Sequence, residues 1–432
     1  MVGRLRGRAL VAGALGVGLV VLAGAPPSGA DARVPPPARV LTAQEGGPAG
    51  APGAVSAAWA VALVGSEVAS ARASGRPAAP AADVPNPRTD WGPTLATVTR
   101  ARAAVAAMPV EVLAGQVLVA AYPGTDPGAA AALVAGYHLA GVILMGDNVA
   151  SLDQVRATSA AVQAAAAADG RAWPAIVAID EEGGRVSRLR GLLPDLPAFA
   201  AFGAAGDDTA TRERFARLGA DLAGLGITMD FAPVADVTVG AADPTIGDRS
   251  ASADPAVAAR TVVAAGRGLL DGGTVPVLKH FPGHGSVTAD SHVGLPVQPA
   301  GIHQLAARDL VPFAAAVDAG APVVMMGHLD VVQLDPGVPS SLSPAAYRLL
   351  RENLGFDGVA VTDALDMGAV PVGTPGEEVA RALAAGADLV LKPRDVGAAH
   401  AAVVAAVQTG ALPRERLEEA ATRVVALQLW AR

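Results

Sequence analysis

The sequence contains no cysteine, and this absence removes several chemistries at once. Disulfide bonds, thiolate metal sites, a thiol nucleophile and a lipid-modified N-terminal cysteine are all excluded. Aromatic residues are also scarce, at 3% of the 432 residues, and only 17% of the residues are charged, although 52% are hydrophobic. The 50 glycines and 34 prolines follow no strict repeat, so collagen-like and solenoid folds are excluded as well.

Basic residues do not dominate the chain, and lysine is nearly absent. The formal net charge of −8 at pH 7 argues against a nucleic-acid partner. Of the 32 basic residues, only Lys279 and Lys392 are lysine. Because arginine is used everywhere else, each lysine suggests a place where a compact ammonium group fits and a guanidinium does not.

Residues 1–30 have the pattern of an export signal, with three arginines near the N-terminus, the apolar stretch 10–23 and a small-x-small site at 28–30. The apolar stretch is short for a transmembrane span, so we expect a signal peptide or an N-terminal anchor and no other membrane domain. The protein is therefore predicted to be secreted or held at the cell surface, with a cytoplasmic protein as the alternative. Residues 31–95 are rich in alanine, proline and glycine and are predicted to form a spacer with little fixed structure.

Short apolar runs alternate with alanine-rich helical stretches over residues 96–432. Continuous hydrophobicity is typical of parallel strands that are buried on both faces. The alternation predicts an α/β fold, a single (β/α)₈ barrel of the TIM type, rather than an open doubly wound sheet. The predicted strands are 117–122, 141–145, 175–180, 227–232, 275–280, 322–326, 359–363 and 388–391. The predicted helices include 152–168, 212–225, 255–270, 304–319 and 377–385.

Ionisable residues end several predicted strands, at the face where (β/α)₈ barrels carry their active sites. Asp180 ends the third strand, Lys279 and His280 end the fifth, and Asp363 ends the seventh. Charged residues at so many strand ends are hard to explain by packing. Lys392, at the end of the eighth strand, is a further candidate for lining the same pocket.

Three of the seven histidines fall between positions 280 and 292. Together with Asp290 they offer a ligand set for zinc or iron. Against a metal, a Pro-Gly turn keeps His280 and His284 from sharing a helix face, and Lys279 places a cation beside them. Loop histidines satisfied by backbone groups are a second interpretation. We favour acid/base and substrate-binding chemistry, and we expect no metal and no cofactor.

Asp290 and His292 are two residues apart, and such residues in an extended segment point to the same side. The Asp290 carboxylate can therefore accept the ring N–H of His292 and fix its tautomer and orientation, as in a general acid/base pair. No Gly-x-Ser-x-Gly elbow is present to supply a serine nucleophile. Asp363 is the better partner, because a carboxylate nucleophile and a proton donor together cleave glycosides with retention.

Several motifs follow one another in a specific order. They are Asp180-x-Glu-Gly-Gly-Arg-Val, Phe231-Ala-Pro-Val-Ala-Asp236, Ile246-Gly-Asp-Arg-Ser250, Lys279-His-Phe-Pro-Gly-His-Gly, Asp290-Ser-His292, Pro339-Ser-Ser-Leu-Ser343 and Val361-Thr-Asp-Ala-Leu-Asp-Met367. Together they resemble glycoside hydrolase family 3, in its bacterial β-N-acetylglucosaminidase branch. The resemblance extends over nearly the whole region from residue 100 onward.

The resemblance implies a role for each predicted site residue. Asp363 would be the nucleophile that forms a covalent glycosyl-enzyme, and His292 would be the general acid/base with Asp290 as its dyad partner. The terminal sugar would be held by Asp180, Arg188, Arg249, Lys279 and His280. Glu181 departs from the pattern, because many relatives have glutamine there, and its charge is expected beside the sugar site.

The expectation is therefore an exo-acting, retaining β-N-acetylglucosaminidase (a β-N-acetylhexosaminidase) that acts on GlcNAc-terminated peptidoglycan fragments or chitooligosaccharides. We expect it to be monomeric. A β-glucosidase or β-xylosidase of the same family and an N-acetylglucosaminide phosphorylase are alternatives. A non-catalytic glycan-binding barrel and a metal hydrolase are alternatives from other classes.

Overall fold

The computed structural model describes residues 87–431, so the predicted signal at 1–30 and most of the predicted spacer lie outside the described residues. Within this range eight parallel strands form one sheet. They are β1 (Leu118–Ala120), β2 (Gly141–Leu144), β3 (Ile176–Ile179), β4 (Met229–Asp230), β5 (Val275–Phe281), β6 (Val323–Met326), β7 (Val359–Thr362) and β8 (Val390–Leu391). Each predicted strand is present, which confirms the predicted barrel.

The sheet closes on itself. Its strands are hydrogen-bonded in the order β7-β6-β5-β4-β3-β2-β1-β8, so each connection leads to a neighbouring parallel strand. Closure comes from β7, where Val361 pairs with Leu389 just before β8 and the Thr362 N–H donates to the Leu389 carbonyl at 3.0 Å. Because all the strands run in one direction, their carboxyl ends gather at one rim of the barrel.

Helices surround the barrel, and none within residues 87–431 is long and apolar enough to cross a membrane. They are α1 (Leu95–Ala106), α2 (Val110–Gly115), α3 (Pro127–Tyr137), α4 (Leu152–Ala168), α5 (Phe199–Ala205), α6 (Asp208–Gly224), α7 (Pro255–Asp271), α8 (Ile302–Ala307), α9 (Val311–Asp318), α10 (Pro344–Arg348), α11 (Glu377–Ala385), α12 (Val396–Thr409) and α13 (Arg414–Trp430). Capping side chains fix several helix starts. Ser151, for example, accepts the Gln154 N–H at 3.2 Å where α4 begins.

The predicted helix 304–319 is wrong as a single element, because the chain forms α8 and α9 with a break between them. Pro312 explains the break: it has no N–H to donate, and its ring would clash with the carbonyl of Arg308 one turn earlier. The break turns Asp309 toward Ser286, whose hydroxyl donates to its carboxylate at 2.8 Å. This contact supports the loop that follows β5.

Glycine allows the outer helices to pack closely. A Cβ atom added to Gly219 of α6 would lie 2.7 Å from the Leu269 carbonyl oxygen of α7, which is closer than real Cβ atoms approach. The two helices can therefore meet backbone to backbone only because this side chain is absent. Part of the high glycine content is explained by such contacts.

A buried carboxylate ties α13 to the barrel. Asp388 precedes β8, is fully buried, and accepts the Ala360 N–H at 3.0 Å. Its oxygens also contact the guanidinium groups of Arg351, Arg416 at 2.9 Å and Arg423 at 3.2 Å. Burial alone would raise the pKa of Asp388, but the three arginines hold that pKa below its ordinary value.

We predict that Asp388→Ala lowers the free energy of unfolding by about 3–5 kcal/mol, because three guanidinium groups lose their shared buried counter-charge. Urea unfolding measures the loss. Glu419→Ala is the matched control: Glu419 contacts Arg416 and Arg423, but its side chain is 52% exposed. Glu419→Ala should lower the free energy of unfolding by less than about 1 kcal/mol. Equal losses in both variants would contradict the importance of burial.

Candidate active site

Each predicted site residue lies at the carboxyl end of a barrel strand or in the connection that follows one. In chain order they are Asp180 and Arg188 after β3, Arg249 after β4, Lys279 and His280 near the end of β5, Asp290 and His292 in the loop after β5, and Asp363 after β7. The strand order therefore gathers residues that are far apart in sequence at one rim.

These residues surround a cavity of about 370 Å³. The predicted residues that line it are Asp180, Arg188, Arg249, Lys279, His292 and Asp363. Apolar side chains complete the wall: Ile143, Met145, Met325, Met367 and Leu391. His280 and Asp290 do not line the cavity. Asp290 contacts His292, which does line it, whereas His280 contacts Asp236, which does not. Charged groups together with apolar walls suit a sugar, which presents hydroxyls and C–H faces.

Lys279 is the centre of a buried ion cluster. Its ammonium lies 2.8 Å from Asp180 and 2.6 Å from Glu182, and its side chain is only 3% exposed. Burial works to lower the pKa of Lys279, but the two carboxylates outweigh it and raise the pKa. The lysine is therefore charged, which fits the expectation that a compact ammonium is required here.

Glu182 is a site residue whose role was not predicted from the sequence. Its two oxygens each lie 2.8 Å from a guanidinium nitrogen of Arg249, in a bidentate pair. Burial would raise the pKa of Glu182, but Lys279 and Arg249 hold it well below its ordinary value. Glu182 thus fixes both Lys279 and Arg249 in the cavity wall.

Glu181 has a different position from the one expected. Its carboxylate accepts the N–H groups of Arg188 at 2.8 Å and Leu189 at 3.0 Å, and it does not line the cavity. Burial raises the pKa of Glu181 above its ordinary value. Its contacts hold the short hairpin that follows β3, and they let Arg188 reach Asp180 at 3.2 Å.

Asp363 follows β7 and faces the cavity. Its own N–H donates to the Met326 carbonyl at 2.9 Å, and its carboxylate accepts the Ala364 N–H at 2.8 Å. Burial works to raise the pKa of Asp363, but the rings of His328 and His280 lower it below its ordinary value. The carboxylate is therefore ionised and rigidly held, as a nucleophile requires.

Asp290 and His292 form the predicted contact, but they do so in a turn and not in the extended segment that was expected, since the Val293 N–H donates to the Asp290 carbonyl at 3.1 Å. The Asp290 carboxylate lies 2.7 Å from Nδ1 of His292 and also accepts the His292 backbone N–H at 2.9 Å. Nδ1 therefore carries the proton that Asp290 accepts, and Nε2 is free for proton transfer. The His292 side chain is 64% exposed, so the pair lies at the mouth of the cavity.

Asp236, at the end of the Phe231–Asp236 motif, is a second residue without a predicted role. It is fully buried and lies 2.7 Å from Nδ1 of His280. It also accepts the backbone N–H of His284 at 2.6 Å. Burial would raise the pKa of Asp236, but His280 holds it below its ordinary value. The carboxylate therefore orients His280 from behind the cavity wall.

Lys392 lines the cavity, as its place at the end of the eighth strand predicted. Its ammonium lies 2.9 Å from Asp366, which also lines the cavity. The residue has a left-handed φ of 50°, and its N–H donates to the Val119 carbonyl at 2.8 Å. A strained backbone at a cavity wall is common where a side chain has a functional position.

Within residues 87–431, no group of three or more histidine, aspartate or glutamate side chains is arranged to hold a metal ion. The histidines of the β5 loop instead contact separate partners. Nδ1 of His280 faces Asp236, Nδ1 of His292 faces Asp290, and Nε2 of His284 lies 3.0 Å from the Ser291 hydroxyl.

Comparisons with known proteins give the family of the chain. The profile of the glycosyl hydrolase family 3 N terminal domain matches residues 110–427. Beta-hexosaminidase LpqI of Mycobacterium tuberculosis is 37% identical over 313 residues, which cover 70% of this chain and 79% of that protein.

Solved structures give the same family. A glycoside hydrolase family 3 beta-N-acetylglucosaminidase from Paenibacillus sp. str. FPU-7 has a TM-score of 0.73 at 35% identity, covering 75% of this chain and 63% of that one. A beta-N-acetylhexosaminidase from Beutenbergia cavernae has a TM-score of 0.69 at 33% identity, covering 74% of this chain and 98% of that one. The chain thus spans less than two thirds of the first enzyme and nearly all of the second.

Asp309, which supports the β5 loop, gives a prediction about pH. Burial raises its pKa from 3.8 to about 6. A carboxyl whose pKa is higher in the folded state stabilises that state when protonated, so this stabilisation is full below about pH 4 and is lost as the pH rises to about 6. Asp309→Asn should remove the loss, worth about 2–3 kcal/mol across that window.

Urea unfolding of the wild type and of Asp309→Asn at a series of pH values from 4 to 7 checks this prediction. The stability difference should shift in favour of the variant as the pH rises. Asp153→Asn, at a side chain that is 95% exposed, is the control and should give a constant difference. A constant difference for Asp309→Asn as well would contradict the prediction.

Proposed function

Because the chain belongs to glycoside hydrolase family 3, we propose that it is an exo-acting, retaining β-N-acetylglucosaminidase. Its substrates would be peptidoglycan fragments or chitooligosaccharides with a terminal β-linked N-acetylglucosamine. The observation that carries the proposal is one cavity lined by the ionised Asp363, by His292 of the Asp290–His292 pair, and by a buried ion cluster. The hexosaminidase names of its relatives support the choice of sugar.

In the first step an Asp363 oxygen attacks the anomeric carbon, and the bond from that carbon to the leaving oxygen breaks. His292, protonated on both ring nitrogens, gives the Nε2 proton to the leaving oxygen. Asp290 accepts the hydrogen bond from the other ring N–H, on Nδ1, and stabilises the imidazolium before transfer. The product of this step is a glycosyl ester of Asp363 and a neutral leaving group.

In the second step water attacks the anomeric carbon of the ester, and the neutral His292 takes the proton from that water. The Asp363 carboxylate leaves, so the sugar is released with its original anomeric configuration. The exposed position of His292 suits this step, since water reaches the ring directly. An imidazole also carries no negative charge that would repel an anionic acceptor such as phosphate.

The buried ion cluster would bind the hydroxyls of the terminal sugar. Asp180 offers acceptor lone pairs beyond those used by Lys279 and Arg188, while Lys279 and Arg249 offer donors. His280, held by Asp236, would give a further contact from the end of β5. Because these groups are charged and already oriented, they bind hydroxyls without reorganising.

We also propose that the protein acts outside the cytoplasm, because residues 1–30 have the pattern of an export signal. The proposed oligomeric state is a monomer. Fractionation of cells that express the full chain tests the location. N-terminal sequencing of the exported protein distinguishes a cleaved signal from an anchor, and sedimentation measures the oligomeric state.

One assay separates the candidate functions. Purified protein is given 4-nitrophenyl β-N-acetylglucosaminide and 4-nitrophenyl β-glucoside, each with and without phosphate and a chelator. The proposal expects hydrolysis of the first substrate under every condition. Cleavage of the glucoside alone indicates a β-glucosidase, and formation of a sugar 1-phosphate indicates a phosphorylase. Loss of activity with the chelator indicates a metal hydrolase, and binding without release indicates a glycan-binding protein.

Asp363→Asn should lower kcat by at least about a thousandfold, because an amide is a poor nucleophile at the anomeric carbon. The fold should stay intact, which thermal unfolding checks. Asp366→Asn is the matched control, since Asp366 is another carboxylate of the same cavity wall, and it should keep far more activity. Near-normal turnover of Asp363→Asn would remove the nucleophile assignment.

His292→Ala should lower kcat/KM for a β-linked N-acetylglucosamine disaccharide by about 10²–10⁴-fold. The loss on the 4-nitrophenyl substrate should be much smaller, because that leaving group needs little proton donation. His303→Ala, at an exposed histidine of α8, is the control and should leave both rates unchanged. Equal losses on the two substrates for His292→Ala would argue against its acid role.

A further inference from the structure

Ser291 lies between the two residues of the dyad and points in the opposite direction. The side chains of Asp290 and His292 are 43% and 64% exposed, whereas Ser291 is 2% exposed. The Ser291 hydroxyl lies 3.0 Å from Nε2 of His284. The dyad therefore stands on a turn whose middle residue is anchored in the protein interior.

His284 is itself firmly held. It is buried, its N–H donates to Asp236 at 2.6 Å, and its ring stands edge-on to His280 with the centroids 5.9 Å apart. Burial and the neighbouring His280 lower the pKa of His284, so the ring is neutral and carries one N–H. Nδ1 has no partner within residues 87–431. The tautomer that satisfies the ring donor therefore has its proton on Nε2 and donates to Ser291.

The loop after β7 holds the same turn by its backbone. The Gly368 N–H donates to the His292 carbonyl and the Ala369 N–H donates to the Ser291 carbonyl, each at 3.1 Å. A Cβ atom on Gly368 would lie 2.7 Å from the His292 carbonyl oxygen, so only glycine allows this approach. These contacts connect the dyad to the loop that begins with Asp363.

We propose that His284 is a positioning residue for the acid/base dyad, and that its hydrogen bond to Ser291 fixes the turn that presents His292 to the cavity. The proposal rests on the proposed function, in which His292 transfers protons. The turn is thus held both by the backbone contacts from the β7 loop and by the side-chain bond between His284 and Ser291. Asp236 then positions two histidines: His280 directly, and His292 through His284 and Ser291.

The leaving-group dependence of the rate tests this role. Ser291→Ala removes the anchor but keeps His292, so proton donation becomes poorly aligned. We expect kcat/KM for a β-linked N-acetylglucosamine disaccharide to fall about 10–100-fold, as for a catalytic group displaced by about an ångström. The 4-nitrophenyl substrate, which needs little proton donation, should lose less than about threefold. A merely structural loss would lower both rates equally.

Ser286→Ala is the matched control. Ser286 is a serine of the same loop that contacts Asp309 at 2.8 Å and Gln298 at 2.6 Å, with no bond to His284. This variant should leave the ratio of the two rates unchanged. His284→Phe keeps a ring of similar size without the donor, and it should reproduce the Ser291→Ala ratio. The double variant His284→Phe/Ser291→Ala should show no larger loss than either single variant, because the two substitutions remove the same hydrogen bond.

Two results would overturn the inference: equal losses on both substrates for Ser291→Ala, or additive losses in the double variant. If His284→Phe fails to fold, the comparison of Ser291→Ala with Ser286→Ala still decides. A failure of the proposed function can be told apart from a failure of this inference, because His292→Ala would then show equal losses on the two substrates. A steep leaving-group effect in His292→Ala with none in Ser291→Ala contradicts only the positioning role.

Discussion

The site depends on the buried ammonium of Lys279. Its contacts with Asp180 and Glu182 join the connection after β3 to β5, and Glu182 extends the cluster to Arg249 after β4. Such a cluster is a weak source of stability, since desolvation offsets most of the attraction between buried charges. Its value lies in orientation: Asp180, Lys279 and Arg249 are held by ion pairs before any substrate binds.

A second carboxylate, Asp236, has the same organising effect without lining the cavity. It contacts the ring of His280 and the backbone N–H of His284, so the end of β5 and the loop that follows it are held by the same carboxylate. The cavity wall and the acid/base turn are therefore not independent. A displacement of Asp236 would move both His280 and His284.

The sequence predicted the barrel because its strands are continuous apolar runs, and it predicted Asp180, Lys279 and Asp363 because they end those runs. Arg188, by contrast, was expected only from the family resemblance. The sequence could not show which of the neighbours Glu181 and Glu182 lines the cavity. These neighbours take opposite roles only because the hairpin after β3 directs Glu181 toward the Arg188 and Leu189 N–H groups. Contacts between distant segments, such as those of Asp388 with the arginines of α13, could not be predicted from the sequence either. The break at Pro312 was readable in the sequence, but the alanine-rich pattern around it favoured one helix.

The two proposed reacting groups are held in contrasting ways, and the chemistry explains the contrast. A nucleophile must meet the anomeric carbon along one direction, and Asp363 sits at the end of a barrel strand with its backbone bonded to β6. The acid/base must serve two oxygens in turn, that of the leaving group and that of incoming water. An exposed ring on a surface turn gives both of them access, but it would lack position without the buried Ser291 beneath it. The exposed His292 ring gives access to both oxygens, and the buried Ser291 next to it holds the ring in position.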